Sequence, residues 1–170
     1  MGDRAFHRHA IGTLTDAGSA VCQRICLAIT ETAAVTNIAD ATVFIEQVRA
    51  LGARIALDDF GAGASSFGYL KNHKVDLLKL DGTFIRDLID DPLDDAAVCC
   101  LVDVARVLGV KPVAEFVDRP EVLARVREIG IDYAQGFLLH KPEPLDQVFD
   151  AFTSLVRPAS LASLASHAKG

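Results

Sequence analysis

The chain has 170 residues, of which 51% are hydrophobic and 24% are charged, as expected of one soluble globular domain with a sizeable core. Seventeen Lys and Arg residues against 23 Asp and Glu residues give a net charge of −6, which argues against non-specific binding of a nucleic-acid polymer. The composition also excludes a disordered or a collagen-like chain.

The start of the chain predicts a tail over residues 1–9, which has no apolar signal-peptide core, and then a helix from Ile11 to Ile25. No apolar run reaches the roughly 20 residues that cross a bilayer, so no membrane insertion is expected. The cysteines show neither a C-x-x-C pair nor the spacing of a zinc site, and we interpret them as buried, reduced thiols. Reduced thiols are typical of the cytosol, so the sequence predicts a cytoplasmic protein. The four cysteines are Cys22, Cys26, Cys99 and Cys100.

Short apolar runs alternate with segments of helical character along the rest of the chain. Strict alternation of strands and helices predicts a parallel sheet built from βαβ units. The predicted strands are Leu27–Thr30, Arg54–Asp58, Leu77–Asp81, Pro112–Glu115 and Tyr133–Phe137. The predicted helices are Ala39–Leu51, Pro92–Leu108, Pro120–Ile129 and Leu145–Val156, and an Ala/Ser-rich tail follows over residues 156–170.

A parallel sheet of this kind either stays open or closes into a barrel, and the pattern alone does not decide between the two. No G-x-G-x-x-G motif follows a predicted strand, which argues against a dinucleotide-binding fold. A complete eight-stranded barrel usually takes about 250 residues. Any barrel formed by these 170 residues is therefore expected to be incomplete.

Polar side chains lie at the carboxyl ends of four predicted strands. Asp58 and Asp59 follow one strand, Lys79 lies near the end of the next, Glu115 ends the fourth, and Gln135 lies in the fifth. Clustered carboxylates repel each other unless a metal or a lysine offsets them, so the set indicates a cation site beside a proton-transfer group. Two plainer interpretations stay open, namely a strand-ending turn at the two aspartates and a structural ion pair of the lysine.

Four segments around these residues resemble the EAL domain family, bacterial phosphodiesterases that linearise cyclic di-GMP. The segment 58–70 resembles the family's DDFGTGYSSLSYL, and 75–85 resembles PVDxLKIDRSFV. The segment 113–118 stands where the family has VAEGVE, and 135–142 matches QGYLFSKP. The spacings of 21, 36 and 20 residues between Asp58, Lys79, Glu115 and Gln135 agree with the family as well. The resemblance covers roughly Leu27 to Phe149.

The resemblance implies an α/β fold, an incomplete (β/α)8 TIM-like barrel of about five to six βα units over residues 10–155. It also implies a two-metal site for Mg or Mn, with Asp58 and Asp59 as metal ligands. The residues matching Lys79 and Glu115 are catalytic in active members, where they act on the attacking water. The implied ligand-binding residues are Asp59, Lys79, Glu115 and Gln135.

Departures from the family pattern accompany these matches. The E-L/I-T-E segment is A-I-T-E here, so its first glutamate, a metal ligand in the family, is Ala28. Its second glutamate is retained as Glu31, and the resemblance implies that it fixes the loop after the Asp-Asp strand and supports dimerisation. The Glu-Ala-Leu signature and a strand with a metal-binding asparagine are absent. Phe116 and Asp118 replace the glycine and the final glutamate of VAEGVE, and Gly82 replaces an arginine.

These departures favour a degenerate, non-catalytic EAL-like module that acts in cyclic di-GMP signalling as a receptor or a protein-interaction module and needs no cofactor. The alternative is an active cyclic di-GMP phosphodiesterase that depends on Mg or Mn and is completed by an upstream segment or a partner chain. A third interpretation is a scaffold whose open sheet edge pairs with another chain. The expected partners are therefore cyclic di-GMP and a protein partner or homodimer, and the family implies roles in motility and biofilm control.

Overall fold

The computed structural model describes residues 4–61, 70, 74–144 and 146–147. The chain divides into two compact units, residues 1–140 and 141–170. In the second unit, the backbone N–H of Gln147 donates a hydrogen bond to the carbonyl of Pro144 at 3.1 Å. Most of the predicted helix Leu145–Val156 and the whole tail 156–170 lie outside the described residues. The elements given below belong to the first unit.

The first unit contains a five-stranded parallel sheet whose strand order follows the chain, β1-β2-β3-β4-β5. Each strand pairs with its neighbour in sequence, and the register sets Thr30 beside Asp58 and Lys79 beside Val113. This arrangement confirms the predicted α/β class and, within the described ranges, the five predicted strands. The strands are β1 Cys26–Thr30, β2 Arg54–Phe60, β3 Leu77–Leu80, β4 Lys111–Ala114 and β5 Tyr133–Ala134.

Capping residues set the ends of the main helices. The Asp91 side chain accepts a hydrogen bond from the N–H of Leu93 at 2.8 Å, and Pro92 fits the first turn because its missing N–H would have no partner there. Gly109 ends that helix in a left-handed conformation, with φ of 69°. The helices are α1 Arg4–Ala17, α2 Ser19–Cys22, α3 Glu31–Thr36, α4 Ile38–Ala50, α5 Gly82–Arg86, α6 Pro92–Leu108 and α7 Pro120–Ile129.

Several predicted boundaries need correction. Helix α1 begins at Arg4, inside the segment assigned to a tail, and Gly18 with φ of 79° separates it from α2. Both helices place side chains in the core, Leu14 from α1 and Cys22 from α2. Strand β5 ends at Ala134, so Gln135 follows the strand instead of lying in it. The predicted bounds of α6 and α7 are confirmed.

The hydrophobic core lies between the sheet and the helices that connect its strands. Burial of this apolar surface is the main favourable contribution to folding. The strands contribute Ile55, Leu57, Leu78 and Leu80, and the helices contribute Phe44, Ile45, Val48, Val98, Val102, Val122 and Val126, all at most 2% exposed. The other side of the sheet lines a cavity of about 570 Å³ that includes Ala28, Ala56 and Lys79. The sheet therefore presents one face to the helices and the other to this cavity.

Two further sequence predictions concern membrane-spanning segments and the burial of the cysteines. Within the described ranges, no helix combines the length and the apolar character that crossing a membrane requires. All four cysteines are free, but only Cys22 is buried, and Cys100 is exposed. The prediction of burial was therefore wrong for Cys100, which lies on the solvent side of α6.

Candidate functional site

Three carboxylates converge at the carboxyl ends of two strands. Asp58 and Asp59 lie near the end of β2, and Glu115 directly follows β4. One oxygen atom of each residue lies within 4.8 Å of the corresponding oxygens of the other two. Carboxylate oxygens are the protein ligands that Mg and Mn favour. These three residues could therefore hold a divalent cation, as the resemblance implies for the two aspartates.

An irregularity in β2 brings the two aspartates to the same rim. Successive side chains of a regular strand point to opposite faces of the sheet. The pairing of β2 with β3 shifts between Leu57 and Phe60, and Asp59 has a left-handed backbone with φ of 55°. Such irregularities bend a strand and redirect its side chains, often beside functional sites. The conformation of Asp59 thus lets neighbouring carboxylates serve one site.

Lys79 joins the carboxylates of two strands. Its Nζ atom forms salt bridges with Oδ1 of Asp58 and Oε1 of Glu115. Burial by itself lowers the pKa of the Lys79 amine, but hydrogen bonds and attraction to both carboxylates outweigh it, so the pKa is raised above its ordinary value. The structure therefore contains the ion pair that the sequence left open, and the amine makes it with both carboxylates.

Glu115 is the most enclosed carboxylate of the cluster, at 7% exposure. Burial raises the pKa of its carboxyl group, the positive charge of Lys79 opposes that change, and the charges of Asp58 and Asp59 reinforce it. The net direction is upward. A carboxyl group with a raised pKa beside a protonated amine is a combination suited to proton transfer.

Glu31 supports the site from outside the carboxylate cluster. Its side chain is only 4% exposed, and its Oε2 atom accepts a hydrogen bond from the backbone N–H of Gly61 at 3.2 Å. Glu31 opens α3, while Gly61 directly follows β2. Residues 62–69, which complete the DDFGTGYSSLSYL-like segment, lie outside the described residues.

Gln135 and Ala28 lie near the cluster but contribute no carboxylate to it. The backbone N–H of Gln135 donates to the carbonyl of Ala114 at 2.8 Å, and its own carbonyl accepts from the N–H of Val117 at 3.0 Å. These bonds continue the sheet pattern past β5 and place Gln135 beside Glu115 in a second cavity. Ala28 lines the larger cavity together with Lys79, so a methyl group stands where the resemblance places a metal-binding glutamate.

Sequence reasoning did not predict that two aromatic side chains lie together at the rim. Phe116 follows Glu115 with φ of 51°, and its ring covers Gly82. Phe137 is 67% exposed and lines the same small cavity as Phe116. The signal in the sequence was that both positions depart from the family pattern, since Phe116 stands in place of a glycine and Gly82 in place of an arginine. Only the fold shows that these two positions touch.

Comparisons with known proteins identify the family. The family model described as "EAL domain" matches residues 1–142. The chain is similar to the cyclic di-GMP phosphodiesterase PdeB of Shewanella oneidensis, at 43% identity over 130 residues, covering 76% of this chain and 15% of that protein. It is also similar to the cyclic di-GMP phosphodiesterase PdeF of Escherichia coli, at 43% identity over 117 residues, covering 69% of this chain and 16% of that protein. The chain thus spans less than a fifth of the length of either relative.

Solved structures share the fold. The EAL domain of Mycobacterium smegmatis DcpA superposes with a TM-score of 0.78 at 28% identity, covering 93% of this chain and 70% of that one. The PaMucR phosphodiesterase in complex with c-di-GMP superposes with a TM-score of 0.70 at 37% identity, covering 75% of this chain and 51% of that one. The five-stranded sheet is therefore part of an EAL-type, TIM-barrel-like architecture.

Proposed function

Because the chain belongs to the EAL domain family, we propose that it binds cyclic di-GMP at the carboxyl-end rim of its sheet and does not hydrolyse it. In this proposal it acts in bacterial cyclic di-GMP signalling as a receptor or a protein-interaction module. Relatives named cyclic di-GMP phosphodiesterases, and the PaMucR complex with c-di-GMP, support the choice of ligand.

The single observation that supports the absence of hydrolysis in this proposal is the methyl group of Ala28. Ala28 lines the same cavity as Lys79 and is exposed to it, so its side chain is available to that space. A methyl group supplies no electron pair to a cation, and even partners beyond the direct ligands commonly contribute about 10- to 100-fold to metal affinity or activity. We therefore expect the chain to bind a cation more weakly than a site with a glutamate at this position.

The residues present nevertheless fit a divalent cation in part. Asp58, Asp59 and Glu115 would hold Mg or Mn, and the bound ion would supply charge stabilisation to a phosphodiester. Lys79 offers a fixed positive charge to the same rim, suited to a phosphate group. Binding of an anionic dinucleotide by a chain of net charge −6 then depends on this local amine.

A second candidate function is hydrolysis of cyclic di-GMP. The observation that favours it is the retention of both aspartates, the lysine and the glutamate within one cluster. In that case Glu115, whose pKa is raised, would exchange a proton at the rim, and Lys79 would stabilise negative charge there. This candidate needs the further ligands that the resemblance implies, from another segment or a partner chain.

The test is calorimetric titration of the chain with cyclic di-GMP, with and without Mn, together with chromatography of the nucleotide after long incubation. We expect micromolar or tighter binding, about −8 kcal/mol or better, and no linear dinucleotide. The Lys79→Met variant should bind more weakly, and the matched control Lys111→Met, an exposed lysine at the start of β4, should not. Metal-dependent turnover would instead establish the second candidate, and absence of binding would overturn the proposed ligand.

The Ala28→Glu variant tests directly whether the methyl group of Ala28 limits cation binding. If the methyl group limits cation binding, this variant should bind Mn at least tenfold more tightly than the wild-type chain. The matched control is Ala56→Glu, which adds a carboxylate to the same cavity on the neighbouring strand. Equal gains in both variants would show that charge alone, and not the position of Ala28, determines the affinity.

We also propose a protein partner or homodimer, and a cytoplasmic role in motility or biofilm control. The support is the sheet itself, because β1 has no described strand on its outer side and edge strands favour pairing. Sedimentation of the chain over a range of concentrations should show a concentration-dependent dimer or capture of a second chain. A strict monomer with no bound partner would contradict this part of the proposal.

A further inference from the structure

A further cavity, of about 570 Å³, lies at the end of the sheet where the strands begin, and we call it the amino-end cavity. Arg54, Leu77 and Lys111, the first residues of β2, β3 and β4, contribute to its lining. Its described lining includes neither Lys79 nor any residue of the carboxylate cluster. Arg54 precedes Asp58 by four residues, which is about 13 Å along an extended strand. The amino-end cavity is therefore separate from the rim.

Positive charge dominates the lining of the amino-end cavity. Four basic side chains and one acidic side chain give a formal charge of +3, in a chain whose net charge is −6. Like charges that lie close together repel each other, and a concave site lined by one sign of charge attracts ions of the opposite sign. The basic residues are Arg49, Arg54, Lys74 and Lys111, and the acidic residue is Asp76.

The acidic side chain, Asp76, already has protein partners. Its Oδ2 atom accepts a hydrogen bond from the N–H of Ile55 at 2.9 Å, and its Oδ1 atom forms a salt bridge with Nη1 of Arg49. Its backbone N–H donates to the carbonyl of Ile55 at 2.8 Å, and its carbonyl accepts from the N–H of Lys111 at 3.2 Å. Asp76 thus joins the starts of neighbouring strands, and its salt bridge offsets the charge of Arg49.

The other basic side chains have no acidic partner in the part of the chain that the structure describes. The side chains of Arg54 and Lys74 form neither a hydrogen bond nor a salt bridge there. The amine of Lys111 lies 5.6 Å from the ring centroid of Tyr133, a cation–π contact. The partial negative charge at a helix carboxyl end accounts for Arg49, in the last turn of α4, but Arg54 and Lys74 lie outside the helices. Their charges are available to an anion.

The size and the donors of the amino-end cavity indicate a small polyanion. Cavities of about 300–1,000 Å³ are typical of small-molecule sites. A guanidinium donates two parallel hydrogen bonds to a phosphate, and an ammonium adds a compact charge with three donors. Several such cations around one cavity favour a ligand with more than one negative charge. The ring of Tyr133, which is 43% exposed, offers an apolar face to an attached organic group.

We propose that the amino-end cavity binds a small molecule that carries a diphosphate group, with Arg54 and Lys74 as its main ligands and Arg49 and Lys111 beside them. The proposal goes beyond the proposed function, because the cavity shares no residue with the carboxylate cluster. Two sources share this chemistry, free inorganic diphosphate and a nucleoside diphosphate. Only the nucleoside diphosphate would use the ring of Tyr133.

The test titrates the chain with inorganic diphosphate and, separately, with ADP, at constant ionic strength and with EDTA present. Calorimetry measures the Kd, and the amide signals in NMR spectra locate the bound anion. The variants are Arg54→Gln and Lys74→Gln, and NMR spectra without ligand show whether each is folded. Lys74 is exposed and precedes β3, so its exchange tests the site even if Arg54→Gln unfolds. The matched control is Arg127→Gln, an exposed arginine of α7 outside the described lining.

We expect saturable binding of inorganic diphosphate with a Kd of about 1 mM or lower. The amide signals of Arg54, Lys74 and Lys111 should shift more than those of Asp58 and Glu115. Arg54→Gln and Lys74→Gln should each weaken binding about fivefold or more, because each removes a charged donor to the phosphate oxygens.

The control Arg127→Gln should leave the Kd of inorganic diphosphate nearly unchanged. Tighter binding of ADP that Tyr133→Leu abolishes would identify a nucleoside diphosphate as the ligand. Equal affinity for ADP and inorganic diphosphate would identify the diphosphate group alone.

Two results would overturn the proposal. Binding that does not saturate, or that Arg127→Gln weakens as much as Arg54→Gln and Lys74→Gln do, would show general attraction to surface charge. Shifts confined to the amides around Lys79 would place the anion at the rim. Neither result bears on cyclic di-GMP, which is titrated separately, so the proposed function would stand or fall by its own test.

Discussion

The buried carboxylate of Glu31 accepts a hydrogen bond from the backbone N–H of Gly61 at 3.2 Å, across 30 residues of sequence. This bond ties the first turn of α3 to the residue two positions after Asp59. Gly61 has φ of 102°, a conformation that favours glycine. The end of β2 is therefore positioned by a side chain from a neighbouring element as well as by its own strand pairing.

Replacement of Glu31 by alanine should destabilise the chain. The change leaves the N–H of Gly61 without its acceptor, which costs about 1–3 kcal/mol for a donor away from water. Urea unfolding should show a lower midpoint, and Glu31→Gln, which retains an acceptor oxygen, should lose less. Glu46→Ala, on the exposed face of α4, serves as the control. Equal midpoints for Glu31→Ala and the control would refute the anchoring role.

Gly136→Ala should destabilise the chain strongly, whereas Gly12→Ala should not. A Cβ at position 136 meets the Val117 backbone, while a Cβ at position 12 meets nothing within 4 Å. Overpacking against backbone costs about 1–3 kcal/mol or more. Position 12 lies within α1, where alanine favours the helix by about 0.5–1 kcal/mol. The two midpoints in urea should therefore move in opposite directions.

In the presence of a chelator, Lys79→Met should be less stable than the wild type. Addition of Mn should then stabilise the variant by more than it stabilises the wild type. The change leaves Asp58 and Glu115 without the amine that pairs with both. Loss of one partner costs about 1–3 kcal/mol, and a cation that binds the folded state offsets this by mass action. Thermal unfolding with EDTA and with Mn measures both effects. If Mn stabilises Lys79→Met no more than it stabilises Lys111→Met, the assignment of the carboxylates around Lys79 as cation ligands is contradicted.

The ion pair between Asp95 and Arg125 should make stability depend on pH. Arg125 donates to both carboxylate oxygens of Asp95, at 2.8 and 2.9 Å, and these bonds lower the pKa of that carboxyl group. A lowered pKa stabilises the fold above the ordinary Asp value of about 3.9, and this contribution is lost as the pH falls through the folded-state pKa.

Asp95→Asn should therefore unfold at lower urea concentration than the wild type at pH 7, and the two midpoints should begin to converge only as the pH falls below the ordinary Asp value of about 3.9. The control is Asp103→Asn, since the Asp103 side chain is 73% exposed and pairs with Arg106 on the same helix. Its midpoint should change little at either pH, because exposed pairs contribute little. A constant difference between wild type and Asp95→Asn at every pH would rule out a role for ionisation.

The sequence predicted the elements with strong periodicity and clear caps. Asp91 and Pro92 mark the start of α6 by their own chemistry, and the predicted bounds of this helix are those of the structure. The residues at the carboxyl ends of the strands were also predicted to meet, because parallel strands share an edge. Lys79, Asp58 and Glu115 do so.

Other features depend on contacts that no local pattern encodes. The left-handed backbone of Asp59 accompanies a register shift in the pairing of β2 with β3. The contact of Phe116 with Gly82 joins positions 34 residues apart, and neither residue by itself indicates the other. The start of α1 was missed because Arg4 and its neighbours carry charges typical of a tail.

The strand order β1-β2-β3-β4-β5 has a consequence for synthesis on the ribosome. From β2 onward, each strand pairs with a strand that has already been made, so the sheet can form as the chain emerges, N-terminal part first. Asp58 and Asp59 leave the ribosome before Lys79, and Glu115 follows last. The amine that pairs with Asp58 is thus synthesised before the third carboxylate, so the growing chain does not have to assemble three negative charges without a counter-charge.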